Sequence, residues 1–183
     1  MIPSDAEIRA LHREHAPTRE MFELVHGHCE VVRGIAEQLL PHTGRELDAD
    51  LVRAGSLLHD IGVYRLGDAP YVRHGVLGHE LLAEEGLPEQ LCRFASHHTG
   101  VGLTADDVRR QSLPLPVADY LAETGEEELV MYADKFHTKS HPPRFVSAES
   151  YAAHVRRYGD DKVAIFQAMC GRYGLPDLPT GPR

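Results

Sequence analysis

Thirteen of the 183 residues are histidine. Imidazole is both the commonest metal ligand among side chains and the usual proton-transfer group. No terminal run of histidines accounts for the excess, so the question is which of them converge. His59-Asp60, in the string LLHDIG, sets an imidazole nitrogen beside a carboxylate oxygen, a pairing that suits a borderline or hard divalent cation. Neighbouring side chains on a helix diverge by about 100°, so both reach one ion only where it sits just beyond a helix end. Taken alone, such a dipeptide is most often a solvated helix terminus.

The remaining candidates come from helical spacing. His28 shares a stripe with Val25, Cys29 and Val32 and points inward; a lone inward histidine is more often a hydrogen-bonded core residue. His26, roughly 200° round the helix from His28, is expected to be exposed. Leu91, Phe94, Ala95 and His98 follow i, i+3, i+4, i+7, which puts His98 on a buried face, with His97 turned off it. His74 shares a face with Leu77, Gly78 and Leu81, whereas His79 sits one position off and reads as structural or exposed. Asp134, in MYADKF, stands on an apolar helix beside Val130 and Met131; a half-buried carboxylate needs a partner, and Lys135 and Lys139 are the ordinary ones. Each position has a structural explanation by itself. Together, four imidazoles and two carboxylates on the inward sides or ends of five helices match the way bundle metal sites are built. Six ligands exceed what one tetrahedral ion needs, so two metals bridged by Asp60 and a hydroxide are the economical interpretation.

These side chains need helices to hold them, and the pattern is helical nearly throughout. Ser4 and Glu7 form a capping box that opens a helix over 5–15. Pro17-Thr18 breaks and recaps the chain, and the next helix runs to about Leu40, ending at Pro41 to Gly44. Asp48 or Asp50 starts a helix from Leu51 to about Ile61, followed by a loop over 62–73. Further helices are expected from His74 to Glu85, stopped by Gly86, and from Pro88 to about His98. A short one follows Thr104; 112–124 reads as loop; another helix covers 126–138. After Pro142-Pro143, one or two helices fill 148–173, and the tail LPDLPTGPR reads as frayed. No strand-like alternation of useful length, internal repeat or second domain is visible, so 1–174 reads as one domain with its core about 20–140 and 175–183 as a flexible tail.

Hydrophobic residues make up 42% and charged residues 26% of the chain, which excludes wholesale disorder. The net charge of −9 argues against a general nucleic-acid or anionic-membrane binder. No apolar run approaches the roughly 18 residues of a membrane span, and the N-terminus lacks the layout of a signal peptide. Cys29, Cys92 and Cys170 form no CxxC pair, so neither a disulfide framework nor a thiolate zinc site is indicated and a reducing cytoplasm is expected.

The ordered strings HCEVVRGIA from His28, LVRAGSLLHDIG through Asp60, HGVLGHELL from His74, SHHTG around His98 and YADK at Asp134 resemble the HD-domain metal-dependent phosphohydrolase superfamily, in its HDIG branch. The opening MIPSDAEIRAL and the segment HHTGVGLTADDV are similar to a small group of stand-alone HDIG proteins. The resemblance covers about residues 20–140. It implies an all-α fold, a bundle of five core helices with additional N- and C-terminal helices. It carries over His28, His59, Asp60 and Asp134 as ligands of one metal, with His74 and His98 supplying a second. Two departures matter. The lysine often found directly after HDIG is Val63 here, and the HHExxDGxGYP signature of cyclic-di-GMP phosphodiesterases is absent because Thr99-Gly100 follows His98.

The implied reaction is hydrolysis of a phosphoester or phosphoanhydride of a nucleotide or small organic phosphate. Two cations, with iron or manganese foremost and magnesium, nickel, cobalt or zinc open, lower the pKa of a bridging water. Asp60 orients it, and Asp60 and His98 are the catalytic candidates. Arg65, Lys135, Lys139 and Arg144 are the expected phosphate contacts, with His141 or His97 as a proton donor to the leaving group. The partner is therefore a small phosphate, with no nucleic acid and no membrane. Two alternatives remain at this point: a mixed-valent di-iron oxygenase with the same kinds of ligand, and a non-catalytic metal-binding regulatory module.

Overall fold

The computed structural model describes residues 1–44 and 46–179. Among them are nine α-helices: α1 (Asp5–His15), α2 (Arg19–Leu39), α3 (Ala49–Leu58), α4 (His74–Glu84), α5 (Glu89–Ser96), α6 (Ala105–Arg110), α7 (Gly125–Asp134), α8 (Ala148–Val155) and α9 (Asp160–Tyr173). One antiparallel ribbon joins β1 (His137–Thr138) to β2 (Arg144–Phe145). The fold is all-α. The helix starts follow the expected chemistry. Ser4 and Glu7 close a reciprocal capping box on α1, Thr18 accepts from the Met21 amide, and Asp48 accepts from the Asp50 and Leu51 amides. Gly86, at φ +76°, ends the α4 region in the left-handed conformation.

The core forms where α2 lies against α3 and α7, and α4 against α5. Val25, Cys29, Val32 and Ala36 of α2 meet Leu57 and Leu58 of α3, Phe94 of α5 and Val130 of α7, all essentially sealed from solvent. Burial of this kind contributes about 25 cal/mol per Å² of apolar surface and holds the bundle together. α1 then closes over the opposite flank of α2, where His12 meets His26 edge-on at 5.0 Å between ring centroids. His26 is therefore buried, not exposed as its position away from His28 predicts. The helical wheel separates the two faces of α2 but does not show that both are covered.

Two local features set the geometry of the site. α3 stops at Leu58, and the chain continues through a 3₁₀ turn, Ile61–Arg65, so His59 and Asp60 sit in the transition where the backbone loosens. Gly62, in that turn, lies directly against α4: a Cβ there would fall 2.0 Å from the His74 carbonyl oxygen and 2.2 Å from the Gly78 amide nitrogen. Only glycine lets the turn bearing Asp60 press onto the helix bearing His74. Three expected boundaries shift. A second 3₁₀ turn, Tyr71–Arg73, interrupts the loop before α4; α5 ends at Ser96; and α7 ends at Asp134, giving way to the short ribbon where continuous helix is predicted. The C-terminal region forms two helices, α8 and α9. Beyond them Asp177 exchanges hydrogen bonds with Gln38, while 180–183 of the expected tail lie outside the described residues.

Candidate metal centre

Four separate elements deliver the candidate ligands to one place: α2 brings His28, the end of α3 brings His59 and Asp60, α4 begins at His74, and α7 ends at Asp134. His98 follows the end of α5. Two groups result. His28, His59, Asp60 and Asp134 offer ligand atoms that all lie within 4.8 Å of one another, as do Asp60, His74 and His98. Asp60 belongs to both, one oxygen facing each way. Its Oδ2 lies 3.2 Å from His28 Nε2 and 3.6 Å from His59 Nε2, and its Oδ1 lies 3.3 Å from His74 Nε2 and 3.5 Å from His98 Nε2. Asp134 Oδ1 completes the first group at 3.0 Å from His28 Nε2 and 3.5 Å from His59 Nε2.

The rings are aimed by backbone. Nδ1 of His59, His74 and His98 lies 2.7 Å from the carbonyl oxygens of Ser56, Tyr71 and Ala95 respectively. A carbonyl only accepts, so each Nδ1 carries a proton and Nε2 is the nitrogen each ring turns into the site. His28 is held differently: its Nδ1 lies 2.9 Å from Nδ1 of His137 on β1. His137 is a site contact that helical spacing does not predict. Its one sequence signal is its position three residues beyond Asp134, and the break from helix to ribbon obscures that spacing.

The donor set fits divalent metal. His59 Nε2 and Asp60 Oδ1 are buried without a hydrogen-bond partner among the described residues, a costly state unless something else satisfies them. Metal ligands must be deprotonated, and most of these are. Burial pushes His98 down to about 4 and lowers His28 and His74. Burial alone raises the Asp60 carboxyl, but Lys139 and His59 outweigh it and hold it well below the carboxylate range; Lys135 and His28 do the same for Asp134. His59 is the exception. Burial opposes its charge, yet Cys29 and Asp60 keep it above its ordinary value, so it carries the proton that a cation displaces.

The expected phosphate contacts separate. Lys139 reaches the site and pairs with Asp60 Oδ2. Lys135 is buried as a clamp, donating to Asp134 Oδ2 at 2.7 Å and to the His98 carbonyl at 2.9 Å. Arg65 instead pairs with Glu84 at 2.8 Å, and Arg144 is exposed on β2; neither lines the site. His97 bonds Ser96 and lies tilted against Tyr120, 5.9 Å between ring centroids, and His141 is exposed, so neither faces the ligands. A pocket of about 350 Å³ lined by Asp60, His74, His98, Asp134 and Lys139 shares Tyr71, Thr99 and Gly100 with a neighbouring cleft of about 730 Å³.

The HD domain family model matches residues 25–139, a span that includes all six ligand positions. The chain belongs to the HD-domain family. This HD-domain protein is 42% identical over 110 residues to an uncharacterised protein of Methanocaldococcus jannaschii, a match covering 58% of this chain and 62% of that one. It is 36% identical over 112 residues to a tRNA (cytidine(56)-2'-O)-methyltransferase of Picrophilus torridus, covering 61% of this chain and 31% of the methyltransferase. The HD-domain protein thus matches less than two thirds of the length of these curated relatives. Among solved structures, the HD domain of the L. monocytogenes phosphodiesterase PgpH shares the fold with a TM-score of 0.53 at 15% identity, over 88% of this chain and 94% of that domain. The same domain in complex with cyclic-di-AMP gives the same TM-score over 94% and 99%.

Proposed function

We propose that this HD-domain protein is a metal-dependent phosphohydrolase that cleaves a phosphoester or phosphoanhydride bond of a nucleotide or small organic phosphate. The observation that carries this reading is the sharing of Asp60 between two ligand groups at the floor of a cleft. His28, His59, Asp60 and Asp134 would hold one divalent cation, and Asp60, His74 and His98 a second. Such a pair supplies Lewis acidity toward phosphoryl oxygens and a water that ionises near neutral pH.

The chain's own residues do the rest. Asp60 faces both groups and orients the attacking water, the role proposed for it as a catalytic residue; His98, the other candidate, closes the second group. Lys139, charged beside Asp60, places an ammonium where charge builds on a phosphoryl oxygen. Lys135 ties the Asp134 carboxylate to the backbone of His98, fixing one ligand of each group relative to the other. Val72 and the Thr99-Gly100 turn wall the pocket. Cys29, Cys92 and Cys170 are all free, as a cytoplasmic setting allows, and no helix among the described residues is long and apolar enough to cross a membrane.

The test is metal analysis of protein purified without chelators, followed by a phosphate-release screen with native protein and Asp60→Ala. Two metals per chain with hydrolysis lost in the variant supports the proposal. Iron in the protein, dioxygen uptake and no phosphate release on any ester would replace it with the di-iron oxygenase reading.

A further inference from the structure

We infer that the substrate carries a single phosphoryl group on an apolar, ring-bearing body, and that α8 and the turn after it select that body. This rests on the phosphohydrolase reading and names the substrate class for the same site. The first observation is the supply of positive charge. Among the described residues, Lys135, Lys139 and Lys162 are the lysines lining the larger cleft, and no arginine is in its lining. Each lysine already serves a carboxylate: Lys135 that of Asp134, Lys139 that of Asp60, and Lys162 that of Asp107, where it also donates to the Gly102 carbonyl. Among the described residues, Lys135 and Lys162 each also donate to a backbone carbonyl, whereas Lys139 stands at the pocket shared by both ligand groups with the Asp60 carboxylate as its hydrogen-bond acceptor. One phosphoryl group can be met by Lys139 and the metal site. The additional charges of a polyphosphate chain would lie along a wall whose lysines are each paired with a carboxylate, and where Arg157 is engaged with His154 and lies over the Tyr158 ring, in a protein of net charge −9.

The second observation is the wall itself. Val101, Leu103, Leu113, Val146 and Val155 give the cleft an apolar lining. Tyr151, His154 and Tyr158 also line it, at i, i+3 and i+7 along α8 and the 3₁₀ turn after it, so that they share one face. Their rings follow one another at 6.2 Å, Tyr151 to His154 and His154 to Tyr158. A row of ring faces beside aliphatic side chains favours a flat apolar group, through area burial and stacking together. The volume of about 730 Å³ lies in the range of small-ligand sites. These three residues fall beyond the HD-domain match, which ends at residue 139; the row of rings therefore comes from a different segment than the metal ligands, while Val101, Leu103 and Leu113 of the same wall lie within the match.

Phosphonates, which bind but are not cleaved, separate this inference from the hydrolysis it rests on. The metal-loaded full chain is titrated calorimetrically with benzylphosphonate, methylphosphonate and inorganic tripolyphosphate. Benzylphosphonate should bind at least about 10-fold more tightly than either of the others, consistent with burial of a ring. Tyr158→Ala, at a position 43% exposed, should cut the benzyl-over-methyl preference to about 3-fold or less; Val146→Asn, at another lining position, should cut it likewise. Equal affinities for benzyl- and methylphosphonate, tighter tripolyphosphate binding, no binding of any phosphonate, or a preference unmoved in both variants each overturns the inference. A benzyl preference that the variants abolish, in a protein that hydrolyses no ester, leaves the body-reading wall standing and refutes the phosphohydrolase reading instead.

Discussion

His74 Nε2 lies 2.9 Å from His98 Nε2, although Nδ1 of each ring is committed to a backbone carbonyl, Tyr71 for one and Ala95 for the other. With both protons on Nδ1, the two facing nitrogens present lone pairs to each other at hydrogen-bonding distance. That contact is repulsive unless a shared proton or cation lies between them, and Asp60 Oδ1, 3.3 Å and 3.5 Å from the same two nitrogens, adds a third lone pair directed at the same point.

The first prediction follows from that triangle. His98→Ala should lower metal content by about one ion per chain while the group around His28 keeps its own, and Asp60→Ala, which removes a ligand from both groups, should leave almost none. Elemental analysis of the purified variants reads both outcomes. Unchanged metal content in Asp60→Ala would refute the shared-ligand arrangement.

His137 supplies the second. If Nε2 of His28 holds a cation, its proton must sit on Nδ1 and be donated to Nδ1 of His137, 2.9 Å away. His137→Phe keeps the ring against Phe145 but removes that acceptor. Loss of such a supporting partner typically costs 10–100-fold in metal affinity. A metal-buffered titration should therefore show weaker binding in His137→Phe, with partial recovery in His137→Asn; equal affinity in all three proteins would assign His137 to packing alone.

The difference between His98 and His137 shows what the sequence makes legible. His98 continues a run of buried positions, Leu91, Phe94 and Ala95, and a side chain in register with a core face must point inward. The same reasoning places His28, His74 and Asp134. His137 stands just after α7 has ended, where the ribbon to Arg144 and Phe145 sets its direction. Pairing of that kind depends on a distant segment, which helical spacing does not encode. His26 fails for the opposite reason: its face is read correctly, but its cover comes from α1. Arg65 and Arg144 show the limit for charges. A long side chain is placed by whichever partner it finds, and Glu84 captures Arg65.

Those charges give the third prediction. Lys139→Met removes the ammonium beside Asp60 and should lower kcat by about 10²–10³-fold, the usual cost of one electrostatic donor at a reacting oxygen, with metal still bound. Arg65→Ala and Arg144→Ala, outside the cleft lining, should change kcat/KM less than about 2-fold. Steady-state kinetics on any hydrolysed phosphate checks the ordering, and a large loss in Arg144→Ala would mean that β2 moves into the site when substrate binds.

The fourth prediction concerns stability against pH and rests on His12. Its Nε2 lies 2.7 Å from the Leu57 carbonyl and its Nδ1 2.9 Å from the Tyr64 hydroxyl, so Nε2–H donates, Nδ1 accepts, and the neutral ring satisfies both partners inside the core. Burial is the main cause that lowers it from 6.5 to about 4. The unfolded chain therefore takes up the proton first. The stability contributed by neutral His12 is complete above pH 6.5 and drains away as the pH falls toward 4, at up to about 1.4 kcal/mol per pH unit for one group. His12→Gln can donate and accept without titrating. Urea unfolding at pH 7, 6 and 5, at constant m, should show a shallower loss of stability in the variant than in the native chain. Parallel slopes would place the acid sensitivity in other buried imidazoles, with His98 and His137 also lowered to about 4.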